Sequence, residues 1–408
     1  MYCRACRGIL DPFLWLGTIQ LTGYLAPDEE ARPSGPLTLC ACAECRLVQL
    51  DHTTPRDLLF SRYWYLSGIN ETMRAELADV VDRANVWADA QARGEVVLDI
   101  GANDGTLLAC YEGRGHAVRI AYEPALNLQP ALHQHAEMVV ADYFPNGYKQ
   151  IKPFEGQVRI ITSIAMFYAV DNLDPFLAAI KALLHRDGVW IVQLQDLDQM
   201  IAATAYDNIC HEHLTYWSMS TFDTLLRRYE LQVSHVERRA INGGSLRFYV
   251  QHTGKFVAPS VIDQREKEHG CDSWTALEEF ARQVEHSKTQ LRAALGIRRK
   301  AGQTIDLYGA STKANTLLQV CGLDRRWLRW AWERSPDKVG RRTVATEIPI
   351  VSEEQGRDEP PDALLVGIWQ FRQQLLQREA FYLEHGGTFI FPLPKVDIVS
   401  LEQARAHA

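Results

Sequence analysis

Tyr206 to Ser218 reads YDNICHEHLTYWS. Two histidines, His211 and His213, flank Glu212, with Cys210 just before them and three aromatics close by. Such a set can hold a metal, move a proton or fill a core. Metal ligation is weak on spacing, because positions i and i+2 of a helix face apart and zinc helices space their histidines i, i+4. A core histidine is the bland alternative. Proton transfer fits better, since an imidazole titrates near neutrality and can take a carbon-bound proton beside a carbonyl. Glu212 would then orient a substrate hydroxyl.

The sequences CRAC and CAEC supply Cys3 and Cys6, then Cys42 and Cys45. A C-x-x-C turn aims two thiolates at one tetrahedral ion, and two such turns close a four-cysteine structural zinc site. Cys40 is the spare. A lobe this short has little core of its own and needs the metal to fold. Reduced cysteines in a small apolar lobe are the alternative.

In VVLDIGANDGTLL, Gly101 and Gly105 mark a tight turn after a strand, with Asp99, Asn103 and Asp104 around it. Glycine lets the backbone approach a ligand closely. Glu123, followed by Pro124, ends the next strand, where a carboxylate can accept both hydroxyls of a ribose. The G-x-G-x-x-G pattern is absent, and Asp99 would repel a pyrophosphate. A cationic nucleoside without phosphate fits, which points to S-adenosylmethionine. Asp142 would meet its adenine amino group and Tyr143 would stack on the ring. A generic α/β turn is the plainer reading.

These residues need elements to hold them. Apolar runs and helical patterns alternate from about residue 95 to 250, which implies a parallel α/β sheet. A helical stretch, Asn70 to Arg93, precedes them. The segment 258–300 turns helical and charged and bridges to a second α/β pattern that begins at TIDLYGASTKANTLLQ. The expected division is 1–55, 56–257, 258–300 and 301–408. With 408 residues, two or three domains are expected. The net charge of -8 and the lack of a basic run argue against nucleic acid. No stretch of about 18 apolar residues predicts a membrane span, and MYCRACRGIL does not read as a signal peptide, so a cytoplasmic chain is expected. A monomer is expected. Lys338, Arg341 and Arg342 in SPDKVGRR, and Lys313 after YGAS, would meet a diphosphate, or else form solvated basic loops. Tyr63, Trp64 and Tyr65 would close over the cofactor, or else pack between lobe and domain.

In combination, the two knuckles followed by RLVQL, the LDIGANDGTLL turn, EHL, NGGSLRFYV, LYGASTKANTLL and GGTFIFPLP are specific. On them the chain resembles the nucleotide-sugar C-methyltransferases of deoxysugar biosynthesis along nearly its whole length. The resemblance implies a zinc lobe, a class I S-adenosylmethionine-dependent methyltransferase domain and a C-terminal Rossmann-like domain that helps hold the nucleotide. It implies a 4-keto nucleotide-linked deoxysugar as substrate, His213 as the enolising base and Glu212 on the sugar. Asn242, Ser245 or Glu212 would stabilise the enolate. Three positions depart from the family. Cys210 stands at a catalytic tyrosine position, Ala169 at a histidine position, and Asn242-Gly243-Gly244-Ser245 replaces the usual HGGS. Enolisation without methyl transfer would make the chain a keto-sugar epimerase or isomerase. His213 acting on a hydroxyl would make it an O-methyltransferase.

Overall fold

The structure, a computed structural model, describes residues 1–88, 95–115, 118–268 and 270–406. The N-terminal lobe is an antiparallel sheet of β1 (Leu10–Gln20), β2 (Ser34–Cys42) and β3 (Val48–Leu50). Its fourth strand, Thr215–Tyr216, comes from the histidine run and pairs with β3 at Gln49 and Val48. The two knuckles sit at one end of the lobe, at the turn before β1 and the turn between β2 and β3.

Next comes α1 (Glu71–Trp87), capped by the Asn70 side chain, which accepts from Thr72 N at 3.0 Å. The helix expected over Asn70 to Arg93 is therefore shorter at its start by one residue, and 89–94 lie outside the described residues. It leads into β4 (Val96–Ile100), β5 (Val118–Tyr122), β6 (Met138–Val140), β7 (Val158–Ile164), β8 (Leu184–Gln195), β9 (Leu231–Arg239) and β10 (Ser245–His252). Their spatial order is β9-β10-β8-β7-β4-β5-β6. The first five in sequence run parallel, and β9 and β10 form an antiparallel hairpin at one edge. All five residues of β4 are buried, as a central parallel strand covered on both faces requires. The chain reverses its winding between β4 and β7. A sheet of this kind opens a ligand crevice there, at the carboxyl ends of the strands.

Two helices bridge to the last unit, Pro259–Lys267 and the long α2 (Trp274–Lys300). The buried side of α2 is Leu277, Phe280, Val284, Ser287, Leu291 and Leu295, spaced as one helical face. The C-terminal sheet holds β11 (Ile305–Tyr308), β12 (Ala331–Glu333), β13 (Ile350–Ser352), β14 (Ala363–Val366), β15 (Thr388–Phe391) and β16 (Asp397–Val399), in the order β13-β12-β11-β14-β15-β16. All its pairings are parallel except β15 with β16. After β11 the chain turns at Gly309 into α3 (Thr312–Cys321), whose cap Ser311 accepts from Ala314 N at 3.1 Å.

The cores are shared between units. Leu14, Leu16 and Leu37 of the lobe pack in one cluster with Val284 of α2 and Leu307 of β11. Cys3, Cys40 and Leu47 pack with Trp190 and Phe222 of the central sheet. Polar ties reinforce the lobe–C-terminal contact. The Gln319 amide exchanges two hydrogen bonds with the Gln20 backbone, and Tyr24 donates to Ala310 O at 2.7 Å.

Candidate active site

The four knuckle thiols converge. The Cys3, Cys6, Cys42 and Cys45 sulfurs all lie within 4.8 Å of one another, and Cys6 Sγ is 3.4 Å from Cys42 Sγ. Four thiolates at about 2.3 Å from a zinc ion span a tetrahedron of about that size. The donor set is sulfur only and complete, so it holds a structural ion. Cys40 stands outside this group, fully buried, and burial pushes its thiol up to about 12.

The glycine turn follows β4. Gly101, Asn103 and Gly105 have φ of 75°, 52° and 83°, and a Cβ on Gly101 would meet Met166 Cγ at 3.0 Å. Only glycine fits there without strain. Asp99 is buried and accepts from Thr162 Oγ1 at 2.6 Å; burial raises its pKa to about 7. The Glu123 carboxylate accepts Asn103 N and Ala125 N, each at 2.9 Å, and each oxygen keeps a second lone pair for a ligand hydroxyl.

The Asn103 and Asp104 side chains hold the incoming chain. Asn103 accepts from Ser67 N and donates to Tyr65 O, and Asp104 accepts from Gly68 N at 2.8 Å. Asp142 accepts from Tyr143 N and Asn146. The Arg56 guanidinium covers one face of the Tyr143 ring at 4.0 Å, which leaves the other face for stacking. Pro124 is half-buried beside Glu123.

The histidine run is no long helix. A short turn, Tyr206–Asn208, leads to a tight loop and then to the strand that joins the lobe sheet. This path separates the three charged side chains. His211 is buried against Gly35 of β2 in the lobe, away from His213. Glu212 also turns to the lobe, where Thr22 Oγ1 donates to it at 2.8 Å. Burial pushes its carboxyl up, while Thr22, Arg32 and Tyr63 favour its charged form. His213 lies 2.8 Å by Nδ1 from Asn208 O, and its ring packs on Tyr168 at 4.2 Å between centroids. A carbonyl accepts, so Nδ1 carries the proton and Nε2 is left as the base. Burial, with the Lys313 charge acting the same way, lowers its pKa to about 4. Cys210 is buried, and burial raises its thiol pKa strongly, so it stays a neutral thiol. Ala169 sits in the turn after β7, next to Tyr168, whose carbonyl accepts from Leu214 N.

Tyr63 joins the two halves. Its phenol is electrostatically close to Glu123 on the cofactor side and to Glu212, Tyr168 and Cys210 on the other.

The remaining residues divide. Asn242 is at the His213 end, where its carbonyl accepts from Lys313 Nζ at 2.7 Å. Ser245 is elsewhere engaged: it is buried at the start of β10 and donates to Ile241 O. Lys338 donates to Glu333 at 3.0 Å and to Ala310 O. Arg341 lies over the Trp64 ring, as does Arg62, and both line a surface groove of about 390 Å³ with Pro27 and Gly340.

Residues outside the sequence-based set also enter. Asp207 is 2% exposed and accepts from Trp369 Nε1 at 2.7 Å. Its sequence signal was its place in the run. Thr22, Tyr168 and Trp369 gave no local signal.

Three family models match in succession, "Putative zinc binding domain" over residues 3–60, "Methyltransferase domain" over 69–236 and "C-methyltransferase C-terminal domain" over 240–394. In these three segments the chain is similar to C-methyltransferases. It is an S-adenosylmethionine-dependent methyltransferase with a structural zinc site. It is 28% identical over 413 residues to the C-methyltransferase NovU of Streptomyces niveus, covering 98% of this chain and 97% of that one. Solved structures overlap it less. Magnesium protoporphyrin IX methyltransferase from Synechocystis PCC 6803 aligns with 47% of this chain and 86% of its own, at 9% identity and a TM-score of 0.34. The PH0226 protein from Pyrococcus horikoshii OT3 aligns with 46% of this chain and 95% of its own, at 12% and 0.37. Among the described residues no helix is long and apolar enough to cross a membrane.

Proposed function

We infer that this C-methyltransferase acts on a 4-keto nucleotide-linked deoxysugar, with His213 as the base that forms the enolate. The observation that carries the reading is the fixed tautomer of His213. Its Nδ1 proton is tied to Asn208 O, so the free nitrogen of the pair is the basic one.

The residues divide the work. Gly101 and Gly105 give the cofactor close access to the backbone, and Glu123, with Asp142 and Tyr143, would hold its ribose and adenine. S-adenosylmethionine, when bound, would supply the electrophilic methyl group. His213 Nε2 removes the proton alpha to the ketone. Glu212, held by Thr22, orients the sugar. The groove lined by Arg62 and Arg341 offers two guanidinium groups to a nucleoside diphosphate. The similarity to NovU, named a C-methyltransferase, supports carbon as the acceptor atom.

The test is incubation of 4-keto nucleotide sugars with enzyme and S-adenosylmethionine in deuterated water. The expected product gains one methyl on carbon, by mass spectrometry and NMR. Deuterium uptake with the cofactor unconsumed would make the chain an epimerase instead. A methyl on oxygen would sink the enolate reading.

A further inference from the structure

Forming an enolate creates negative charge on the ketone oxygen, and the base assigned above does not meet it. A base held near pKa 4 is also poorly matched to a carbon acid unless that oxygen is stabilised as the proton leaves. The cation nearest to His213 comes from the C-terminal domain. Lys313, in the first turn of α3, is half-buried and donates to Asn242 O at 2.7 Å. That bond uses one of its three donors, and among the described residues the other two have no hydrogen-bond partner. A Cβ on Gly243 would lie 3.7 Å from Lys313 Nζ and 3.9 Å from Trp369, so these groups adjoin one another.

Around this ammonium lie buried polar atoms without partners. Among the described residues, Asp207 Oδ1, both polar atoms of the Asn208 side chain and Gln370 Oε1 are buried and have no hydrogen-bond partner. Protein interiors rarely leave such atoms unpaired, so a polar ligand or water completes them. Asp207 is locked in place through its other oxygen by Trp369.

We propose that Lys313 is the catalytic electrophile that stabilises the enolate oxygen, and that Asp207, fixed by Trp369, is the positioning residue that keeps the Lys313 ammonium at that point. The C–H bond alpha to the ketone breaks and its proton goes to His213 Nε2. The electron pair forms the carbon–carbon double bond, and the carbonyl π electrons move onto oxygen, beside the ammonium. The nucleophilic carbon would then take the methyl group as the S–CH3 bond breaks with its electron pair left on sulfur; the carbonyl re-forms and the ammonium is unchanged. The C-terminal domain therefore supplies a catalytic group and does more than grip a nucleotide. This inference rests on the enolate reading given above.

Charge on Lys313 is set by opposing influences. Burial lowers its pKa, and the Asp207 carboxylate raises it; Cys210 and His213, which also face it, are neutral. Loss of the Asp207 charge should therefore draw the alkaline limb of the rate profile to lower pH. The experiment uses full-length zinc-loaded enzyme with a 4-keto nucleotide sugar. It compares wild type with Lys313→Gln, Lys313→Ala and Asp207→Asn, each first shown by calorimetry to bind S-adenosylmethionine normally. Alpha-deuterium wash-in and methyl transfer should both fall about 10²–10³-fold in kcat for the lysine variants, with KM changed only a few-fold. Ethylamine should partly restore Lys313→Ala, while potassium chloride at equal ionic strength should not. Asp207→Asn should shift the alkaline limb downward. A Lys313→Ala enzyme with wild-type kcat, or one altered only in KM, overturns the inference alone. Wild-type enzyme that neither exchanges nor methylates any 4-keto sugar overturns this inference together with the reading beneath it.

Discussion

The pKa of His213 ties stability and activity to one number. An unperturbed histidine titrates at 6.5, and burial brings His213 to about 4 in the fold. The folded pKa is depressed, so the unfolded chain binds the proton that the native chain refuses. Above pH 6.5 both states are neutral at this residue and nothing is lost. As pH falls below 6.5 the unfolded state gains, and the loss levels off below about pH 4. Each pKa unit is about 1.4 kcal/mol, so the full penalty is about 3 kcal/mol, and about 2 kcal/mol has accrued by pH 5. His213→Gln removes this linkage, since glutamine does not titrate. Urea denaturation at pH 8 and pH 5 should then show the variant less acid-sensitive than wild type by about 2 kcal/mol. The same pKa governs the base. In kcat/KM, which reports the free enzyme, the acid limb should fall near pH 4 to 5 and not near 6.5. Alpha-deuterium exchange should vanish in His213→Gln while cofactor affinity is kept. An acid limb at 6.5 in wild type, together with equal acid sensitivity of the two proteins, would refute the buried neutral imidazole. Exchange at the wild-type rate in His213→Gln would refute its role as base.

Other parts of the site give separate outcomes. Removing zinc with a chelator, or Cys6→Ser, should melt the lobe and drop the Tm sharply, because binding energy of a structural zinc site is folding energy; zinc content and calorimetry together check this. Trp369→Phe deletes the donor to buried Asp207 and should cost about 1–3 kcal/mol in urea denaturation, with kcat falling more than KM rises. Gly101→Ala forces a Cβ to 3.0 Å from Met166 at φ 75°, so it should cost about 1–2 kcal/mol and weaken S-adenosylmethionine binding by titration calorimetry.

The chemistry that was legible in the sequence is local chemistry. A C-x-x-C turn brings its two sulfurs together by its own geometry, and the glycine turn after β4 follows from a buried apolar run ending at glycine. Lys338 reads from the sequence as a diphosphate contact or part of a solvated basic loop; in the fold Glu333, only five positions earlier, pairs with it. Asn103 and Asp104 read from the sequence as cofactor-binding positions because they stand in the turn; in the fold their side chains also bond the chain at Tyr65 to Gly68, 36 or more residues away.

The histidine run shows the deeper limit. Its neighbours come from every part of the chain: Thr22 at Glu212, Gly35 at His211, Tyr168 and the Lys313 charge at His213, and Trp369 at Asp207. A two-residue strand, Thr215–Tyr216, is too short to show a period, yet it joins the run to the lobe sheet. That one pairing explains why adjacent side chains do different work. It turns Glu212 toward the lobe and leaves His213 on the inner side, against Tyr168. The lobe thus fixes the carboxylate, the central domain fixes the base, and the C-terminal domain brings the cation. A catalytic unit assembled this way forms only when all three are docked, and the cores they share make that docking part of folding itself.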